Sequence, residues 1–184
     1  MCIKLPIAIT AVVFMALSAT APLYAQTDGK KREIGVQFNG FTSFTGLYRK
    51  QKSENVYRRI RATFGNINFV RIEDGGFITF NAGIAIGREK RRMLDRQLEF
   101  YRGPEFSASV SLLTFEGDGA GAFAVGFGYI FGLQHSFNEL WAVHLEAVPL
   151  IGVGFATGGD LDEVILTAGA GVSSAVSLGV VRKF

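Results

Sequence analysis

Cysteine is all but missing from these 184 residues: the single one, Cys2, precedes an apolar run, whereas a lipoprotein's acylated cysteine would follow one. Once that segment is removed, the chain has no disulfide, no thiol nucleophile and no cysteine metal site. Histidine is scarce too, with only His135 and His144. Two separated histidines make no convincing metal constellation, and no cofactor is expected. Beyond the N-terminal segment no stretch of about 18 apolar residues runs uninterrupted, which excludes a helical membrane protein. Nor does either charge sign dominate. The 19 Lys and Arg stand against 16 Asp and Glu, too even a balance to argue for nucleic acid.

The N-terminus itself, MCIKLPIAITAVVFMALSATAPLYAQ, has the three-part layout of a secretory signal peptide: Lys4, an apolar stretch from Leu5 to Leu17, and small residues running to Ala25. Cleavage after Ala25 leaves one domain, residues 26–184. The apolar run is too short to serve easily as a membrane anchor.

What the chain does contain is glycine (23), phenylalanine (17) and 48% hydrophobic residues. They are arranged with a period of two, as in strands with two different faces. From Ile78 to Gly87 the apolar phase is Ile78, Phe80, Ala82, Ile84, Ile86. In GAFAVGFGYIFGL one face carries Phe123, Val125, Phe127, Tyr129, Phe131 and Leu133, and the other is mostly Gly and Ala. The less apolar face decides between fold classes. A water-facing sheet would carry Lys, Glu, Gln and Thr there. Gly, Ala and Ser with a few acids suit instead the cramped interior of a narrow closed barrel, with the Phe- and Val-rich face turned to lipid.

Strands are expected near 33–45, 76–89, 97–114, 119–135, 140–156 and 163–184. In NVYRRIRATFGNINFVRI the apolar phase changes between Phe64 and Ile67. Either a bulge absorbs the slip, or Gly65-Asn66 is a tight turn between two short strands. The turn is the reading adopted, because it yields eight strands, and bacterial single-chain barrels have even counts with both termini periplasmic. The expectation is an all-β chain: one eight-stranded antiparallel transmembrane β-barrel following a cleaved signal peptide. Turns near 65–66, 90–96 and 136–139 would be periplasmic, and loops near 46–55, 73–75, 115–119 and 157–162 would face outside.

This pattern resembles the small outer membrane β-barrels of the OmpX-like and PorT-like kind. The resemblance rests on the terminal strand SLGVVRKF with Phe184 last, on FNELWAVHLE, and on IGREKRRMLDRQLEFYRGPE. It implies the outer membrane as location, outer membrane lipid and lipopolysaccharide as surroundings, and the barrel-assembly machinery as a partner during biogenesis. It also implies that Val176, Leu178, Val180 and Phe184 form the assembly signal. Arg182 departs from the pattern by taking the outward phase, where its stem can lie on apolar surface while its head reaches headgroups.

For chemistry, parity turns Arg59, Arg61, Glu99, Glu105 and Glu146 inward. Buried charges must be paired, so these residues are expected to form a lumen network, with His144 joining, or to sit as separate charges in wet barrel mouths. His144 and Glu146 also invite a serine-hydrolase reading, which needs a serine within hydrogen-bond reach of the histidine. His135, beside a turn, reads as solvated or interfacial. The basic clusters Arg49, Lys50, Lys52 and Arg88, Lys90, Arg91, Arg92, Arg96 read as hairpin ends, the first able to hold lipid phosphates and the second an acidic partner. EGDG and GGD are too short for calcium loops. Trp141, Tyr101 and Tyr129 are candidates for aromatic girdles. The function expected is that of a non-enzymatic monomer, an envelope structural or interaction protein with a side-chain-filled lumen. The alternatives are a narrow solute channel or a lipid-modifying enzyme.

Overall fold

The computed structural model describes residues 31–38, 44–64, 68–72, 75–115, 118–158 and 161–184. The expected signal peptide, residues 1–25, lies outside them. The described residues form strands β1 (Arg32–Phe38), β2 (Phe44–Ser53), β3 (Val56–Phe64), β4 (Asn68–Ile72), β5 (Gly75–Met93), β6 (Leu98–Phe115), β7 (Asp118–Ser136), β8 (Trp141–Gly158) and β9 (Leu161–Lys183). Every pairing is antiparallel, in the order β3-β2-β1-β9-β8-β7-β6-β5-β4, and β3 also pairs with β5. That last contact closes the sheet into a ring, the arrangement by which strands pair the backbone groups that hydrocarbon would leave without partners. The first and last strands are stitched to their ends, with Phe184 N–H donating to the Arg32 carbonyl at 2.8 Å and Arg32 N–H returning the bond at 3.1 Å.

β3 and β4 are one side of the ring. Both run antiparallel to the same edge of β5, from Val56 opposite Lys90 to Phe64 opposite Ala82, then from Asn68 opposite Thr79 to Ile72 opposite Gly75. A chain reversal between them is therefore excluded, and the register against β5 differs by one residue between the two flanks. Residues 65 and 66 lie outside the described set, but the tight turn expected there is corrected by the pairing on either side. The strand count stays at eight for another reason. The expected strand 33–45 is two: β1 ends at Phe38, and β2 occupies most of the outer loop expected at 46–55.

This correction moves a turn to the other end of the barrel. Glu54–Asn55 shares one end with Leu94–Gln97, Phe137–Leu140 and both strand termini at Arg32 and Phe184. The strand ends at Phe38, Phe44, Ile72, Gly75, Phe115, Asp118, Gly158 and Leu161 lie at the opposite end. Where side chains are described, the alternation along the strands sorts them by face. Phe106 (65% exposed), Phe127, Ile151 and Leu178 point outward, while Leu47, Tyr101, Ile130 and Val181 are buried inside.

Gly103 and Pro104 mark a local break in the β5–β6 ladder, between the Gly87–Glu105 and Lys90–Arg102 pairs. A Cβ on Gly103 would collide with the Arg88 carbonyl oxygen, so only glycine permits this approach.

Candidate functional site: a charge network across the lumen

The terminus-bearing half of the lumen is filled by ionised side chains. Glu33 comes from β1, Arg49 from β2, Arg59 and Arg61 from β3, Glu89 and Arg91 from β5, Glu105 from β6 and Glu146 from β8, and all eight are buried. The set is electrically balanced, four guanidiniums against four carboxylates. Burial in a low-dielectric wall demands this balance, because an unpaired ion there costs several kcal/mol.

At its centre Arg59 donates through Nη1 and Nη2 to both oxygens of Glu146, at 2.7 and 2.8 Å. The Tyr101 hydroxyl adds a third bond to Glu146 Oε2 at 2.9 Å. Arg59 Nε reaches Glu105 at 3.1 Å, and Arg61 grips the same carboxylate from the other side, Nε at 3.1 Å with Nη2 on the second oxygen. Nearer the strand termini Arg91 binds both oxygens of Glu33, at 2.7 and 2.8 Å, and also Glu89 at 2.6 Å. Arg49 joins the two groups: it lies 3.2 Å from Glu33 and from Glu89, donates to Gln134 Oε1 at 2.7 Å, and stands 3.6 Å from Glu146. Two-point contacts of this kind suit the planar guanidinium fork. Tyrosine faces complete the packing, Tyr57 3.8 Å under the Arg91 guanidinium and Tyr101 4.7 Å under Arg49.

Glycines opposite the large groups make room for them. Tyr101 lies over its cross-strand neighbour Gly132, and His144 over Gly179; a Cβ at either glycine would overlap the ring.

Of the residues expected inside, the structure brings Arg59, Arg61, Glu105 and Glu146 together. Glu99 sits at the rim, its side chain 21% exposed, 3.1 Å from Arg91. His144 is buried but meets Gln37, ring Nε2 to amide Nε2 at 3.0 Å, rather than a serine or a carboxylate. Several sequence expectations are corrected here. Arg49 is not in an outer loop with Lys50 and Lys52 but wholly buried on β2. Arg91 is not part of a solvated hairpin but a hub of the network, since β5 continues to Met93. Tyr101 belongs to the lumen and not to a girdle. Glu33, Glu89 and Gln134 were not expected at all.

Above the network, away from the termini, the lumen opens into a vestibule of about 720 Å³. Arg61 and Glu105 form its floor, and Thr63, Asn81, Ser107, Ser109 and Ser111 line one wall against small residues such as Gly126, Gly152 and Gly154 on the other. At the terminal end, Arg182 lies over the rings of Phe184 and Trp141, at 5.1 and 5.9 Å. Of the four residues expected as an assembly signal, Val176 and Leu178 are exposed and Val180 and Phe184 half-buried.

No protein-family model and no curated protein sequence matches the chain. Among solved structures it is similar to a major outer membrane protein of Thermus thermophilus, with a TM-score of 0.51 at 9% identity over 85% of this chain and 100% of that one. It is also similar to Ail, the attachment invasion locus protein of Yersinia pestis (TM-score 0.47, 12% identity, 84% and 97% of the two chains). A third is the neisserial surface protein A (TM-score 0.41, 13% identity, 84% and 94%). At these identities the likeness speaks of fold alone, and the first of the three carries it. The chain is built as one closed eight-stranded antiparallel barrel, the fold of the small outer membrane β-barrel proteins that its sequence resembles.

Proposed function

We propose that the chain is a non-enzymatic, monomeric integral protein of the outer membrane, with both termini periplasmic, acting as an envelope structural or interaction protein and not as a pore. The observation that carries this reading is the balanced network spanning the lumen from β1 to β8, with Arg59 and Glu146 buried at its centre. The outward aromatic and aliphatic face supports insertion in lipid, where such a surface has its natural surroundings. His144 has an amide partner and no serine hydrogen-bonded to it among the described residues, Ser177 donating instead to the Glu146 carbonyl, which speaks against hydrolysis by a serine, histidine and acid. Outer membrane lipid and lipopolysaccharide then surround the barrel, and Val176, Leu178, Val180 and Phe184 are the strand that the barrel-assembly machinery would read.

Planar-bilayer recording tests the closed lumen. The wild type is expected to give no unitary current, and a variant with Arg59→Ser, Arg61→Ser, Glu105→Ser and Glu146→Ser to give small steps. Steady current through the wild type would instead establish a channel. Orientation is read by labelling cells with a membrane-impermeant thiol reagent. Gly119→Cys should react on intact cells, and Asn55→Cys only after the outer membrane is permeabilised.

A further inference from the structure

The lumen network uses one face of β3, β5 and β6, and the other face of the same strands carries a second group of cations. Arg58 on β3, Arg88, Lys90 and Arg92 on β5 and Arg102 on β6 all point outward and are exposed. The register sets them against one another, Arg58 opposite Arg88 and Lys90 opposite Arg102, and Lys50 on β2 lies opposite Arg58. Like charges directly opposite across a ladder destabilise it. Among the described residues no carboxylate forms an ion pair with any of these five, because the acids of the same strands, Glu89, Glu99 and Glu105, face inward to the lumen arginines. The group calls for an external anion.

Its surroundings say which kind. One step further from the termini the same three strands present Ile60, Ile86 and Phe106, the last two exposed. The partner must therefore combine a negative headgroup with an apolar body lying along the wall. The five exposed cations sit together on these strands: beyond Arg102, which pairs with Phe131, β7 and β8 stay apolar through Leu133, Leu145 and Val143, while Arg32 on β1, Lys50 on β2 and Arg182 on β9 at the same end are only half-exposed.

We infer that β3, β5 and β6 carry a binding site for anionic glycerophospholipid on the outer wall at the terminus-bearing end. Arg58, Arg88, Lys90 and Arg102 hold the phosphates, Arg92 extends the site toward the turn, and Ile86 and Phe106 support the acyl chains. Arginine's fork suits phosphate oxygens, and each cation adds to attraction for an anionic lipid surface. The inference rests on the membrane reading above.

The full chain, refolded into phosphatidylcholine vesicles with or without phosphatidylglycerol, is extracted in detergent and the retained lipid weighed by native mass spectrometry. Phosphatidylglycerol should be kept selectively by the wild type, and retention should fall about tenfold in Arg58→Gln, Arg88→Gln, Lys90→Gln, Arg102→Gln. Lys31→Gln, Lys52→Gln should retain it. A second measurement needs no variant: phosphatidylglycerol should raise the urea resistance of the wild type, and added salt should erase the gain. Equal retention of both lipids, or undiminished retention by the four-residue variant, overturns the site while leaving the membrane reading intact. A chain that enters neither kind of vesicle overturns both. Stronger retention of lipopolysaccharide than of phosphatidylglycerol assigns the cations to the other leaflet and also sinks the proposal.

Discussion

Glu146→Gln should destabilise the barrel by about 3–5 kcal/mol, the range for removing one partner of a buried ion pair. The side chain keeps its shape, so the loss is electrostatic. Glu146 receives both arms of Arg59, at 2.7 and 2.8 Å, and stands 3.6 Å from Arg49. Neutralising it leaves four buried guanidiniums facing three carboxylates, and the new amide turns one donor toward Arg59. Two weakened charged hydrogen bonds, at about 1.5–3 kcal/mol each, reach the same range independently. The companion variant Arg59→Met should cost a similar amount. Because the double variant restores balance at three against three, its cost should fall short of the sum by at least about 1.5 kcal/mol. Urea unfolding in detergent, followed by emission of the single tryptophan, Trp141, measures all three. Additivity within about 0.5 kcal/mol would refute the reasoning, since uncoupled charges cannot form the network described.

Glu99→Gln, at the exposed rim, should cost no more than about 1 kcal/mol by the same unfolding assay; a loss as large as that of Glu146→Gln would mean the rim is dry. Gly132→Ala should push Tyr101 off its seat and lose about 1–3 kcal/mol, and adding Tyr101→Ala should recover part of it; no recovery would locate the strain in the backbone. Ile151→Lys, on the outward wall, should cost about 2–4 kcal/mol in vesicles, whereas a value near zero would argue for a water-facing surface. Deleting Phe184 should slow insertion by the assembly machinery in cells while leaving refolding into detergent nearly unchanged; equal insertion rates would remove its role as a signal.

Parity alone was enough to turn Arg59, Arg61, Glu105 and Glu146 inward, because Arg61, Glu105 and Glu146 each sit between apolar outward neighbours and Arg59 shares the phase of Arg61. It failed where a strand leaves the hydrocarbon and both faces become polar. In LYRKQKS the inward Arg49 is followed by Lys50 and Lys52 on the other phase, so contrast between faces disappears and the stretch reads as a loop. In GREKRR the same happens, although the sign of charge held a clue: Arg88, Lys90 and Arg92 are all positive on one phase, and Glu89 and Arg91 alternate in sign on the other. The phase change near Phe64 was visible too, but a bulge and a turn leave the same local trace. Only the pairing of both flanks with β5 separates them. Which arginine meets which glutamate was beyond reach, since the partners lie on strands whose adjacency across the ring depends on register.

The lumen contacts join distant parts of the chain: Arg59 with Glu146, 87 residues apart, Glu33 with Gln134, 101 apart, and Gln37 with His144, 107 apart. None of them can form while the ring is open. A half-built barrel therefore holds solvated ions where the finished one holds paired ions, and water is expelled from the interior only when β1 meets β9. Such long-range closure is slow, but it makes completion all-or-none. The buried charges thus penalise misassembly: a sheet that joined out of register would strand arginines without carboxylates, at a cost of several kcal/mol each.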